Sequence, residues 1–166
     1  MAKEEIVAVV DEDDRVIGAV PRSEMWARGL IHRATFILVF NPAGELFLQK
    51  RTRAKDIYPG WYDVAAGGVV LAGESYDRSA ARELAEELGI DGVPLRPRFK
   101  FFHQEGKNRI WGRVYSCVHD GRIVLQASEV ESGAFFPVDH VLRMAETERF
   151  TPDGLYALRR YLDESG

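Results

Sequence analysis

Residues 68–90 read GVVLAGESYDRSAARELAEELGI, and the fold turns on how this stretch is placed. Ser75 is a fair N-cap, Asp77 suits the positive end of a helix dipole, and Gly89 stands where a left-handed C-terminal residue belongs. These signals predict a helix over 75–88. At about 100° per residue, Glu83, Glu86 and Glu87 share one arc, with Ala81, Leu84, Ala85 and Leu88 roughly opposite. The helix is expected to bury the aliphatic stripe and to present its three carboxylates together. Like charges one turn apart repel by about 0.2–0.5 kcal/mol per pair. Such a cluster is either a well-solvated acidic face or the seat of a hard cation. Oxygen ligands without histidine or cysteine suit Mg2+ or Mn2+ and suit Zn2+ poorly. Magnesium usually binds through a few carboxylates together with substrate phosphates, which points to a phosphoryl or pyrophosphoryl substrate.

On the N-terminal side of this helix, Val64–Ala66 and Gly68–Leu71 read as short strands around close-packed glycines. Further upstream, Ile6–Val10, Asp11–Asp14 and Val16–Val20 read as a hairpin. Ser23 is expected to cap a short helix through Met25 and Trp26, giving an N-terminal extension over 1–31. Ala34–Phe40 and Leu46–Gln49 flank an Asn41–Gly44 turn. On the C-terminal side, Phe99–His103, Ile110–Val118 and Ile123–Leu125 read as strands. Pro137–Met144 and Pro152–Leu162 read as helices, the second started by Thr151 with Pro152 in the first position. Short strands around one central helix, with more helices near both ends, predict an α+β protein with a mixed sheet packed by helices.

The 166 residues fit one domain over 1–166, and 46% hydrophobic content is enough to build its core without metals or disulfides. Twenty-six acidic residues against 22 basic give a net charge of −4, which argues against an extended nucleic-acid surface. The lone Cys117 excludes an intrachain disulfide and a multi-cysteine metal site. No apolar run is long enough for a membrane helix, and MAKEEIVAVVDEDD lacks the layout of a signal peptide. A cytoplasmic protein with no membrane partner is the expectation.

The stretch 68–90 is a complete match to the Nudix box: Gly68, five residues, Glu74, seven residues, then Arg82-Glu83-Leu84-x-Glu86-Glu87-x-Gly89-Ile90. Average residue usage would produce all nine positions by chance on the order of once in 10⁷ such chains. The sequence therefore resembles the Nudix superfamily. That resemblance implies an α/β/α sandwich around a mixed sheet and metal-dependent hydrolysis of a diphosphate linked to another moiety, most often a nucleoside. It implies Glu83, Glu86 and Glu87 as carboxylates for Mg2+ or Mn2+, with the Gly68 carbonyl as a further ligand. It makes Glu83 or Glu86 the base that activates water, and pairs Arg82 with Glu74 to hold helix to loop. A homodimer is compatible with it.

Outside the box, Arg51, Arg53 and Lys55 stand where cations could meet phosphate oxygens. Glu129, Glu131 and Glu105 are candidates for a further metal carboxylate. Trp61, Phe102 and Trp111 could stack on a base, although aromatics in strands are more often core. The span His32–Trp61, HRATFILVFNPAGELFLQKRTRAKDIYPGW, also resembles isopentenyl-diphosphate isomerase, including His32 at a metal-ligand position and Arg51 and Lys55 at diphosphate positions. That enzyme, however, carries a reactive cysteine and a histidine where this chain has Ala66-Gly67-Gly68. It has metal carboxylates where this chain has Lys107 and Arg109. Hydrolysis is thus expected over isomerisation. A silent nucleotide-binding domain is the third possibility, and the intact set of box glutamates argues against it.

Overall fold

The β-branched runs of the sequence become the strands of one mixed sheet, described over residues 4–165 in a computed structural model. Residues 1–3 and 166 of the expected 1–166 domain, including the start of the N-terminal segment read for a leader, lie outside the described residues. In chain order the elements are β1 (Ile6–Val10), β2 (Val16–Pro21), α1 (Arg22–Arg28), β3 (His32–Phe40), β4 (Leu46–Arg51) and β5 (Tyr62–Asp63). There follow α2 (Tyr76–Leu88), β6 (Arg96–Glu105), β7 (Asn108–Val118), β8 (Val130–Phe136), α3 (Val138–Met144) and α4 (Pro152–Ser165). β1 and β2 form the expected hairpin, with Val7 opposite Val20. The axis of the sheet is the parallel pair β3–β7, in register from His32 and Ile110 to Phe40 and Val118. β6 pairs antiparallel with β7, and β8 with β4.

Side chains alternate across the β3–β7 axis and so feed two cores. Ile37, Val39, Tyr115 and Cys117 pack with Ala80, Leu84 and Leu88 of α2. Phe36, Leu38, Leu46, Leu48 and Val114 pack with Val141 of α3 and with Ala157 and Leu158 of α4. Helices thus cover both faces, and the α/β/α arrangement stands as expected. A third, smaller cluster of Val7, Met25 and Val69 fastens the hairpin and α1 to the loop ahead of α2. No helix among the described residues is long and apolar enough to cross a membrane.

Several local expectations are corrected. The buried stripe of α2 is Ala80, Leu84 and Leu88, spaced by four, while Ala81 is exposed. The cap of α1 is not Ser23: the helix begins at Arg22, and the Ser23 amide donates to the Glu4 carboxylate at 2.8 Å. Val64–Ala66 and Gly68–Leu71 do not form continuous strands. They touch β3 and β1 through isolated bridges, Ile37 to Ala66, Ala34 to Val69 and Val7 to Leu71. Gly67 breaks the run: its φ of +135° is open only to glycine, and a Cβ there would lie 2.0 Å from the Thr35 carbonyl oxygen. Ile123–Leu125 is not a strand either. Its backbone serves the end of α2, with the Val124 and Gln126 amides donating to the Leu88 and Glu87 carbonyls at 2.9 and 2.8 Å. β8 lies between Leu125 and Pro137, where the sequence announces no element. Ser132, Gly133 and Ala134 have little strand propensity, and Gly133 is required because a Cβ would meet the Phe47 ring at 2.4 Å.

Candidate active site

The sequence forms α2 as read. The Ser75 hydroxyl accepts the Arg78 amide at 3.1 Å, and Gly89 closes the helix in the left-handed region at φ +65°. Its apolar stripe on the sheet turns Glu83 and Glu87 toward the glycine turn at Gly67–Gly68, with Glu86 more exposed beside Arg82. Glu87, 5% exposed, accepts the Gly67 amide at 2.8 Å. The carboxylate of Glu83 packs over Gly68 so closely that a Cβ on that glycine would sit 2.7 Å from its Oε1. Arg82 grips Glu74 with two nitrogens at 2.6 and 3.0 Å, and Glu74 in turn accepts the Leu71 amide at 3.1 Å. A bidentate pair of this kind fixes the loop against the helix.

The free nitrogen of Arg82 stands between Glu83 and Glu86, at 3.0 and 3.2 Å. A positive charge is therefore already accommodated among these carboxylates. Burial pushes Glu83 up to about 7, with Glu86 adding to it, and Arg82 only partly opposes the shift. Burial pushes Glu87 up to about 8, with Glu83 adding and the Gly67 amide opposing. Ionised carboxylates in such a place demand a cation. Among the described residues no three of them yet converge on one point, since Glu87 is turned onto Gly67 while Arg82 holds the other two. An all-oxygen set that already encloses one positive charge fits Mg2+ or Mn2+. The Gly68 carbonyl, read as a further ligand, accepts the Thr35 amide at 2.9 Å; that bond spends one of its lone pairs.

Of the three cations before the box, two are brought together with this turn. Arg51 and Lys55 line a pocket that also includes Gly67 and Gly68, whereas Arg53 is exposed and lies off it. Arg51 donates to the Ile57 carbonyl at 2.9 Å, and Lys55 pairs with Glu129. Glu129 is thus close to the pocket through its partner. Glu131 lies on β8 facing Lys50 at 3.6 Å, and Glu105 is the last residue of β6, 4.0 Å from His103. Trp61 packs against Tyr58 and Trp111 against Phe102 with tilted rings, 4.9 and 5.7 Å between ring centres; none of Trp61, Phe102 and Trp111 lines that pocket.

A family model, the NUDIX domain, matches residues 30–158. The chain belongs to the Nudix family. It is 52% identical over 159 residues to the uncharacterized Nudix hydrolase PA4841 of Pseudomonas aeruginosa, covering 96% of this chain and 94% of that one. It is 40% identical over 162 residues to the uncharacterized Nudix hydrolase YfcD of Escherichia coli K12, covering 98% and 89%. Among solved structures it is similar to DR0079 of Deinococcus radiodurans, at a TM-score of 0.82 and 26% identity, covering 94% of this chain and 98% of that one. The chain is accordingly a Nudix pyrophosphohydrolase, and nothing in these relationships favours the isomerase.

The geometry of this Nudix domain agrees. Lys107 and Arg109 hold the end of α1, donating to the Ala27 and Gly29 carbonyls at 2.9 and 3.3 Å. His32 is buried, its Nδ1 donating to the Leu30 carbonyl at 3.0 Å, and burial drives its pKa down to about 4. Among the polar residues of the pocket, Tyr58, Asp63, Asn108 and Asp153 carry no functional signal in the sequence. They come from four separate segments and share no motif. The single local signal is Asp153 in the first turn of α4, which also has the ordinary meaning of an acid at a helix start.

Proposed function

We propose that this Nudix enzyme hydrolyses a diphosphate linkage in a nucleoside-diphosphate-linked or related small molecule, with Mg2+ or Mn2+. The observation that carries this reading is the face of α2 bearing Glu83, Glu86 and Glu87, set against the Gly67–Gly68 turn beside a pocket edged by Arg51 and Lys55. Glu83, Glu86 and Glu87 would hold the ion, together with a carbonyl of the turn; bound there, it supplies neutralisation of the diphosphate charge and a more acidic water. Of the turn carbonyls, Gly67's accepts no hydrogen bond among the described residues, while Gly68's is bonded to Thr35. Glu83 or Glu86 accepts the proton of the attacking water; Glu86 is the more open of the two, at 48% side-chain exposure against 15%. Arg51 and Lys55 orient phosphate oxygens, Lys55 leaving Glu129 to do so. A chain of net charge −4 with one buried cysteine fits cytoplasmic work on a small molecule.

The test is phosphate or nucleotide release across a panel of diphosphates with Mg2+ or Mn2+, with wild type and Glu86→Gln run side by side. Loss of turnover by about 10²-fold or more in a folded variant is expected. Equal turnover of the two proteins would reject the assignment.

A further inference from the structure

Where the parallel strands β3 and β7 finish, Phe40 and Val118 open onto a groove of about 1220 Å3, its mouth included. Among the described residues it shares none with the pocket beside the glycine turn. Phe40, Val93, Val118 and Tyr161 give it an apolar wall, and Val118 is left 61% exposed there. The chain as a whole has a net charge of −4. Along this groove, however, the charged side chains among the described residues are two arginines, Arg96 and Arg98, with no acid beside them in the lining.

The local backbone explains how the two arginines come together. β6 is bulged between Pro97 and Phe99, where its pairing with β7 passes over Arg98. Bulges of this kind re-aim a side chain. Arg96 is registered with Ser116, and Arg98 reaches the same serine, its Nε donating to Ser116 Oγ at 2.8 Å. The Arg98 guanidinium also lies over the Tyr161 ring, 5.3 Å from its centre. Pinned at one nitrogen and along one face, Arg98 has a fixed aim, and its two terminal nitrogens have no hydrogen-bond partner among the described residues. Neither Arg96 nor Arg98 forms an ion pair among those residues.

Two positive charges at the lip of an apolar groove fit an amphipathic anion. A carboxylate would balance only one of them. A phosphomonoester carries a charge of about −1.5 to −2 at neutral pH, with three acceptor oxygens that match guanidinium forks. An apolar or aromatic body attached to it would cover Val118 and lie against Phe40 and Tyr161. We propose that this groove is a second ligand site, apart from the catalytic pocket, which binds a phosphomonoester bearing such a body through Arg96 and Arg98. Val93 and Cys117 line the groove and also pack with Leu84 and Leu88 of α2. An occupant therefore touches the core on which the box helix rests. The proposal does not depend on the hydrolase reading.

An amide NMR titration of the full chain with phenyl phosphate tests this, because it reads the two sites separately. The amides of Arg98, Ser116 and Val118 report the groove, and those of Gly67 and Gly68 report the catalytic pocket. Saturating shifts at the groove amides are expected, with a dissociation constant below about 1 mM. Inorganic phosphate, which lacks the ring, is expected to bind there about tenfold or more weakly. Arg98→Gln and Arg96→Gln should each weaken phenyl phosphate at the groove by about tenfold, leaving the response of Gly67 and Gly68 and the basal turnover unchanged. No saturable shift at the groove amides up to about 10 mM would overturn the proposal. So would inorganic phosphate binding there as tightly as phenyl phosphate, or undiminished binding in both arginine variants.

Discussion

The carboxylate of Asp14 accepts the hydroxyl of Tyr76 with both of its oxygens, each 2.9 Å away. Asp14 is at the tip of the β1–β2 hairpin and Tyr76 begins α2, so one side chain ties the N-terminal extension to the helix that bears the box glutamates. Arg33 and Lys100 donate to the same carboxylate, both at 2.8 Å. Burial and the facing carboxylate push the Tyr76 hydroxyl well above its ordinary range, so it remains a donor.

Removing Asp14 leaves Arg33 and the tyrosine hydroxyl without their acceptor. Asp14→Ala should cost about 3 kcal/mol, or ~10 °C in Tm for a chain of this size. Asp14→Asn should cost less, since asparagine tolerates the positive φ of 62° and keeps one acceptor. Thermal melts of the three proteins check this; equal melting of wild type and Asp14→Ala would contradict it.

Gly67 and Gly73 both have positive φ, at +135° and +80°, but only Gly67 meets a backbone oxygen where a Cβ would go. Gly73 has nothing within 4 Å. Gly67→Ala should therefore cost at least about 3 kcal/mol, and Gly73→Ala about 1 kcal/mol. Urea midpoints separate the two. Comparable losses would mean that conformational strain, and not the clash with Thr35, sets the cost at Gly67.

Metal-free protein should lose stability as pH rises above neutrality. Glu83 and Glu87 titrate near 7 and 8 in the fold, against an ordinary value of 4.5, so the folded chain holds more protons than the unfolded one. Their stabilising contribution is complete below about 4.5 and disappears as pH climbs through 7 and 8. His32, whose imidazole is half protonated at 6.5 only in the unfolded chain, offsets this by no more than about 0.4 kcal/mol. Between pH 6.5 and 8 the fall is on the order of 2 kcal/mol. Melts in chelator should show it, Glu87→Gln should flatten it, and Mg2+ should remove it. A flat profile in chelator would contradict the burial of these charges.

The parts of the fold that were legible in sequence are those whose signals are local. Ser75, Asp77 and Gly89 announce α2 within 15 residues, and the near-continuous apolar run Ala34–Phe40 announces β3. The box carries its own spacing from Gly68 to Ile90. β8 was hidden because Gly133 answers to the Phe47 ring on another strand, a demand that its neighbours in sequence do not express. The loop before α2 resembles strand in sequence because Val64–Leu71 has strand residues, and only the approach of Thr35 forces the break at Gly67. Asp63, Asn108 and Asp153 lie up to 90 residues apart and become neighbours only through the β3–β7 pairing and the docking of α4.

The two cores of the sheet carry one further implication. The carboxylates rest on the α2 core, while the pocket beside them opens on the α4 core, and the two meet at Ala66 and the glycine turn. Mutational drift in β5, in the first turn of α4 or at the start of β7 can therefore reshape the pocket without repacking the helix that bears the three glutamates. Descendants of one ancestral hydrolase can diverge in diet while inheriting the same scissors.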